Sequence, residues 1–123
     1  MVLITSNKYQ RLLCVNYVQR VTPAELESSR SDLVALIAEM PAGFRLLANL
    51  SGLEAMDPEC EAELGRTMDL CNQHGVGLIV RVIPDPSKDI GLSILSVFHY
   101  PQQPRTINCQ NLAEALRELA LWG

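Results

Sequence analysis

The sequence contains no apolar run that approaches the roughly 20 residues needed to cross a bilayer. Its first residues, Met1 to Lys8, form too short a stretch for a signal peptide, and the charge lies on the wrong side of the apolar residues. From these two absences we expect a cytoplasmic protein with no integral membrane segment.

Close cysteine pairs are also missing. The four cysteines form no CxxC motif and lie within apolar patterns, where a free cysteine behaves as a small hydrophobic residue. We predict buried free thiols at all four positions, which are Cys14, Cys60, Cys71 and Cys109. A zinc site needs about four convergent ligands, and only His74 and His99 are available to assist, so neither a metal nor another cofactor is expected.

Basic and aromatic residues are too few and too scattered for a nucleic-acid surface. Aromatic residues make up 5% of the chain, and its ten lysines and arginines form no stripe, which argues against a nucleic-acid partner. The net charge of −4 is unevenly distributed. Six acidic residues lie between Glu54 and Asp69, where Arg66 is the single basic residue.

Familiar catalytic devices are absent as well. The glycines form neither a GxGxxG motif nor a P-loop, and no feature makes two carboxylates converge across a pocket. If residues 58–74 form a helix, Cys60 and His74 lie about 20 Å apart along it, which is too far for a dyad. We therefore predict a non-enzymatic protein.

What the sequence does contain is a regular alternation of strand and helix patterns over residues 1–123, which predicts a single α/β domain. The order is β-β-α-β-α-β-α-β-α, and the repeated strand–helix–strand units favour a largely parallel sheet with right-handed crossovers. Strands are predicted at Val2–Ser6, Leu12–Val18, Phe44–Leu50, Val76–Ile83 and Thr106–Cys109. Helices are predicted at about 23–40, 58–74, 86–98 and 112–119.

Local signals place the helix ends. Thr22 is expected to cap the first helix, and Asp57 to cap the second with Pro58 in its first turn. Gly75 ends the second helix. Asn111 is expected to cap the last helix. The predicted inner face of that helix consists of Leu112, Leu116 and Leu119.

The order of elements and the segment 46–57, LLANLSGLEAMD, resemble the STAS domains, which include the anti-sigma-factor antagonists. Similar matches are the apolar strand GVGLIVRV at residues 75–82 and the segment LAEAL at residues 112–116. The similarity extends from about Leu12 to Leu119. It implies a SpoIIAA-like mixed sheet of about five strands in which the first strand is antiparallel.

The resemblance also implies a protein partner that binds near the loop between the third strand and the second helix. Family regulators carry a phosphorylated serine directly after an aspartate that Asp57 matches, but this sequence has Pro58 there, which has no hydroxyl group. The acidic residues that follow favour a helix start, or alternatively imitate a modified loop or meet a basic partner. The predicted partner-binding residues are Ser51, Asp57, Pro58, Glu59 and Glu61.

Three other hypotheses remain open. Apolar residues surround most of the predicted helix at 86–98, so Leu92, Leu95 and Phe98 are candidates for a self-association face that forms a homodimer. The same residues would suit a carrier of a small apolar ligand or lipid. Finally, Cys60 lies in the first turn of a predicted helix, where the dipole lowers a thiol pKa, which would suit an enzyme nucleophile.

Overall fold

The computed structural model describes residues 1–85 and 99–121. Within these ranges the chain forms five strands and three helices. The elements are β1 Val2–Asn7, β2 Leu12–Val21, α1 Pro23–Ile37, β3 Arg45–Met56, α2 Cys60–Gln73, β4 Leu78–Val82, β5 Arg105–Cys109 and α3 Leu112–Leu121. The helix predicted at 86–98, with Leu92, Leu95 and Phe98, lies outside the described residues.

The strands form one mixed sheet in the order β1-β2-β3-β4-β5. β1 is antiparallel to β2, and every other neighbouring pair is parallel. A short turn suffices for the antiparallel pair, whereas α1 and α2 provide the long crossovers that parallel pairs require. The predicted mixed sheet with an antiparallel first strand is confirmed.

Helices cover the two faces of the sheet unequally. On one face, a large apolar core joins the sheet to α1 and α2 through residues such as Leu33, Phe44 and Leu64. On the other face, α3 forms a smaller core with β3, β4 and β5. All five residues of β4 are buried, as expected for a strand that is covered on both faces.

The predicted inner face of α3 is partly wrong. Leu119 is buried as expected, but Ala115 is its buried partner, while Leu112 and Leu116 are 41% and 53% exposed. Ala115 and Leu119 lie one turn apart and form the stripe that contacts the sheet, and the small side chain of Ala115 permits a close approach. Leu116 is rotated by about 100° from Ala115, which takes it off this stripe.

Strands β2 and β3 are longer than the sequence pattern predicts. They pair as far as Val21 and Met56, with two irregularities in their register. The segment Ser51–Met56, which we predicted as a loop, is therefore the second half of β3. Its exposed polar residues hide the strand pattern, although Leu53 between them packs into the larger core.

Among residues 1–85 and 99–121, no helix is long and apolar enough to cross a membrane.

Candidate functional site at the ends of strands β2 and β3

A tight turn of three residues, 57–59, joins β3 to α2. The Cys60 backbone N–H donates to the Asp57 carbonyl at 2.9 Å, and the Glu61 N–H donates to the Pro58 carbonyl at 3.2 Å. The helix begins at Cys60 with Glu59 in the N-cap position, and no side chain caps it. The prediction that Asp57 caps this helix is therefore wrong.

The Asp57 side chain is instead engaged by the neighbouring strand. Arg20 Nη2 lies 2.7 Å from Asp57 Oδ1, and the Asp57 backbone N–H donates to the Val21 carbonyl at 3.3 Å. Arg20 follows Gln19, which has a φ of 59° at a register shift between β2 and β3. Such bulges redirect the side chains that follow them. The irregular end of β2 thus holds Asp57 in place.

A second group of ion pairs holds the other side of α2. Glu63 forms an ion pair with Arg30 from α1. It forms another with Arg66, one turn along its own helix, in which Arg66 Nη1 lies 2.8 Å from Glu63 Oε1. The Glu63 side chain is only 12% exposed. Because both of its neighbours are cations, Glu63 connects α1 to α2 and is not available to a partner.

The remaining acidic residues of the predicted site face solvent. Glu59 and Glu61 are exposed, and neither forms an ion pair with any residue in the described part of the chain. Pro58 is also exposed, and it lies with Asp57 and Glu61 along a groove of about 270 Å³ whose floor includes Leu64. Glu59 lines a neighbouring groove together with Pro58 and Glu61, so the structure brings four of the five predicted residues together.

Ser51 is the predicted residue that lies apart. It is exposed in the middle of β3, and its backbone N–H donates to Asn49 Oδ1 at 3.1 Å. Ser51 and Asp57 are six positions apart along an extended strand, which corresponds to roughly 20 Å. Ser51 therefore lies outside the groove.

Cys60 does not have the properties of a nucleophile. Cys60 is only 1% exposed, and its Sγ atom lies 3.6 Å from the Val21 carbonyl oxygen. Burial raises the pKa of the Cys60 thiol, and the negative charges of Asp57 and Glu59 raise it further. The first-turn position that would favour a thiolate is outweighed by these effects.

Sequence reasoning missed a polar contact on α2. His99 Nδ1 lies 2.6 Å from Asp69 Oδ1, and the imidazole ring covers Gly65, where an added Cβ atom would lie 2.6 Å from His99 Nε2. A glycine inside a helix costs about 1 kcal/mol relative to alanine. That cost is a sequence signal for close packing, although the sequence does not reveal that His99 is the neighbour.

The described residues offer no group of metal ligands, and the cavity within the larger core is small. Residues 1–85 and 99–121 contain no cluster of three or more histidine, cysteine, aspartate or glutamate residues suited to a metal ion. All four cysteines are free, and three of them are buried, while Cys14 is half-buried. A cavity between the sheet and α2, beside Tyr17, Met68 and Tyr100, has a volume of about 30 Å³. That is room for about one water molecule, not for a lipid.

Comparison with solved structures identifies the fold. An uncharacterised protein of the DUF3478 family from Shewanella loihica PV-4, described as having a SpoIIAA-like fold, superposes with a TM-score of 0.69 at 12% identity. The match covers 97% of this chain and 92% of that one. The chain has a SpoIIAA-like fold.

Two anti-sigma factor antagonists share this SpoIIAA-like fold. The antagonist SpoIIAA in its unphosphorylated form matches with a TM-score of 0.60 at 16% identity, over 98% of both chains. An antagonist from Mycobacterium paratuberculosis matches with a TM-score of 0.60 at 15% identity, over 98% of this chain and 93% of that one. No protein-family model matches the sequence, and no curated protein matches it either. The STAS-like fold predicted from the sequence is confirmed.

Proposed function

We propose that residues 1–123 form one STAS-like interaction module, which binds a protein partner and catalyses no reaction. The SpoIIAA-like fold supports this proposal, because two of the matching structures are anti-sigma factor antagonists. The main observation behind the proposal is that Glu59 and Glu61 are exposed and form no ion pair with the described residues. Two carboxylates left without cations at the edge of a groove suit a basic surface.

The surrounding ion pairs give this surface a fixed shape. Arg20 holds Asp57 at one end of the turn, and Arg30 holds Glu63 one helical turn beyond Glu59. In our proposal Pro58, Glu59 and Glu61 contact the partner, Asp57 positions them, and Ser51 lies at the periphery. Little ordering is then needed on binding, which lowers its entropic cost.

A pull-down from a lysate of the source organism tests the surface. We expect a Glu59→Arg/Glu61→Arg variant to lose a partner that the wild type retains, because reversed charges repel a basic surface. The matched control is Glu27→Arg/Glu39→Arg, which changes the net charge equally at two exposed residues near the opposite ends of α1. Identical partner lists for all three proteins would contradict the proposed surface.

The same experiment addresses regulation. Since Pro58 has no hydroxyl group, the proposed module binds its partner without a phosphorylation switch at that position. We expect phosphatase treatment of the purified chain to leave the partner list unchanged. A partner that appears or disappears after this treatment, with a phosphate located between residues 51 and 61, would overturn this part of the proposal.

A further inference from the structure

A buried guanidinium group lies at the end of the sheet opposite the candidate site. Arg45 is the first residue of β3 and is 8% exposed. Its Nη1 atom donates to the Leu119 carbonyl at 2.6 Å, and its Nη2 atom donates to the Gln10 carbonyl at 2.7 Å. Both acceptors are neutral, so these contacts bind the guanidinium without cancelling its charge.

The charge of Arg45 is therefore incompletely balanced. No carboxylate in the described ranges forms an ion pair with it, and its buried Nε atom has no hydrogen-bond partner there. Leu119 lies in the last turn of α3, whose carboxyl end provides about half a negative charge. A cation removed from water is costly unless it is paired. The remaining positive charge and the unused N–H groups favour an anion.

A cavity of about 430 Å³ adjoins this group. Arg45 and Arg11 both line it, whereas no aspartate or glutamate is among its described lining residues. Its lining also includes three apolar residues of α3, which are Leu116, Leu119 and Ala120, and Leu116 is 53% exposed. Cavities of this size accept small organic molecules.

We propose that this cavity binds a small carboxylic acid in its ionised form. The carboxylate faces Arg45 and Arg11, and its apolar substituent contacts Leu116 and Ala120. A guanidinium donates two parallel N–H hydrogen bonds to the two oxygens of an oxyanion, all in one plane. A carboxylate is favoured over a phosphate for two reasons. Its single negative charge balances the single buried cation, and removing one negative charge from water costs less than removing the two charges of a phosphate.

Nuclear magnetic resonance of the full chain tests the ligand class. We expect sodium butyrate to produce saturable shifts of the Arg45 Nε–H signal and of the Leu116 and Ala120 amides. Butyramide, the uncharged analogue, is expected to produce no saturable shift, and inorganic phosphate is expected to saturate only at higher concentration. Equal effects of butyrate and butyramide, or tighter binding of phosphate, would overturn the proposal.

Variants test the position of the site without depending on the fold of an Arg45 variant. Arg11 is exposed, so Arg11→Gln is expected to fold normally and to raise the Kd of butyrate about threefold to fivefold. Arg117→Gln removes an exposed cation of α3 that does not line the cavity, and it is expected to leave the Kd unchanged. The same Kd in all three proteins contradicts the proposed site. So does saturation by an acidic peptide but not by butyrate, because that result would identify a protein ligand.

Discussion

The Arg20 guanidinium lies 2.7 Å from the Asp57 carboxylate and joins the end of β2 to the start of the turn before α2. The two residues are 37 positions apart in the chain. Their side chains are 70% and 26% exposed, so water screens the pair considerably. Its main consequence is geometric, since it fixes the turn that presents Glu59 and Glu61.

Removing this pair is expected to lower stability only slightly. We expect Asp57→Asn to reduce the free energy of unfolding by about 0.2–1 kcal/mol, the range for screened pairs, and the loss should shrink at high salt. Urea unfolding of Asp57→Asn, Arg20→Gln and the double variant gives the coupling energy. If the two single effects simply add, the contact does not contribute to stability.

The Glu63 ion pairs are expected to matter more. Because the Glu63 side chain is 12% exposed and contacts both Arg30 and Arg66, Glu63→Gln should cost about 1.5–3 kcal/mol, the range for hydrogen bonds to charged groups. Glu61→Gln, on the same helix but exposed, is the control and should change stability by less than about 0.5 kcal/mol. Equal costs in urea unfolding would show that Glu63 does not connect the helices.

The effect of Gly65→Ala on stability is expected to depend on whether residue 99 is histidine or alanine. In the wild type the added Cβ atom would lie 2.6 Å from His99 Nε2, so Gly65→Ala should displace the ring from Asp69 and lower the Tm. In a His99→Ala background the clash is gone, and the higher helix propensity of alanine should make the same change stabilising by up to about 1 kcal/mol. A loss of similar size in both backgrounds would exclude the His99 contact as its cause.

Stability at alkaline pH is expected to depend on Cys71. Burial raises the pKa of the Cys71 thiol from about 9 to about 12 in the folded chain, although a hydrogen bond with Tyr100 lowers it somewhat. Between these values the unfolded chain releases a proton that the folded chain keeps. The stabilisation is therefore complete below about pH 9 and decreases as the pH rises, by up to about 1.4 kcal/mol per pH unit.

Urea unfolding between pH 8 and 10.5 measures this dependence. Cys71→Ala is expected to be less stable at pH 8, because a buried sulfur is lost, but to lose stability less steeply above pH 9. Burial also raises the pKa of the Cys14, Cys60 and Cys109 thiols and of Tyr17 and Tyr100, so a less steep decline should remain in the variant above about pH 9. Identical slopes for the wild type and the variant would contradict the raised thiol pKa.

The sequence alone determined the order of the described elements and several of their ends. Thr22 accepts the Glu25 N–H at 3.3 Å at the start of α1, and Asn111 accepts the Glu114 N–H at 2.9 Å before α3, both as predicted. Gly75 follows α2 with a φ of 77°, a conformation that glycine adopts without strain. These features depend on groups within three or four residues, so local patterns suffice to predict them.

The tertiary structure decided which of the acidic residues are available at the candidate site. The six acidic residues between Glu54 and Asp69, with Arg66 as the single basic residue, predicted a broadly negative segment. The fold, however, brings Arg20 to Asp57 and Arg30 to Glu63 from distant parts of the chain. Only the pairing of β2 with β3 and the packing of α1 against α2 create these contacts.

The same long-range pairing extends β3 through Ser51–Met56, where the local sequence resembles a loop. The packing of α3 on the sheet likewise selects Ala115 over Leu116 for burial. A linear pattern fixes the spacing of side chains along an element. Which cation, strand or helix each one meets depends on residues far away in the sequence, and that choice is made when the sheet assembles.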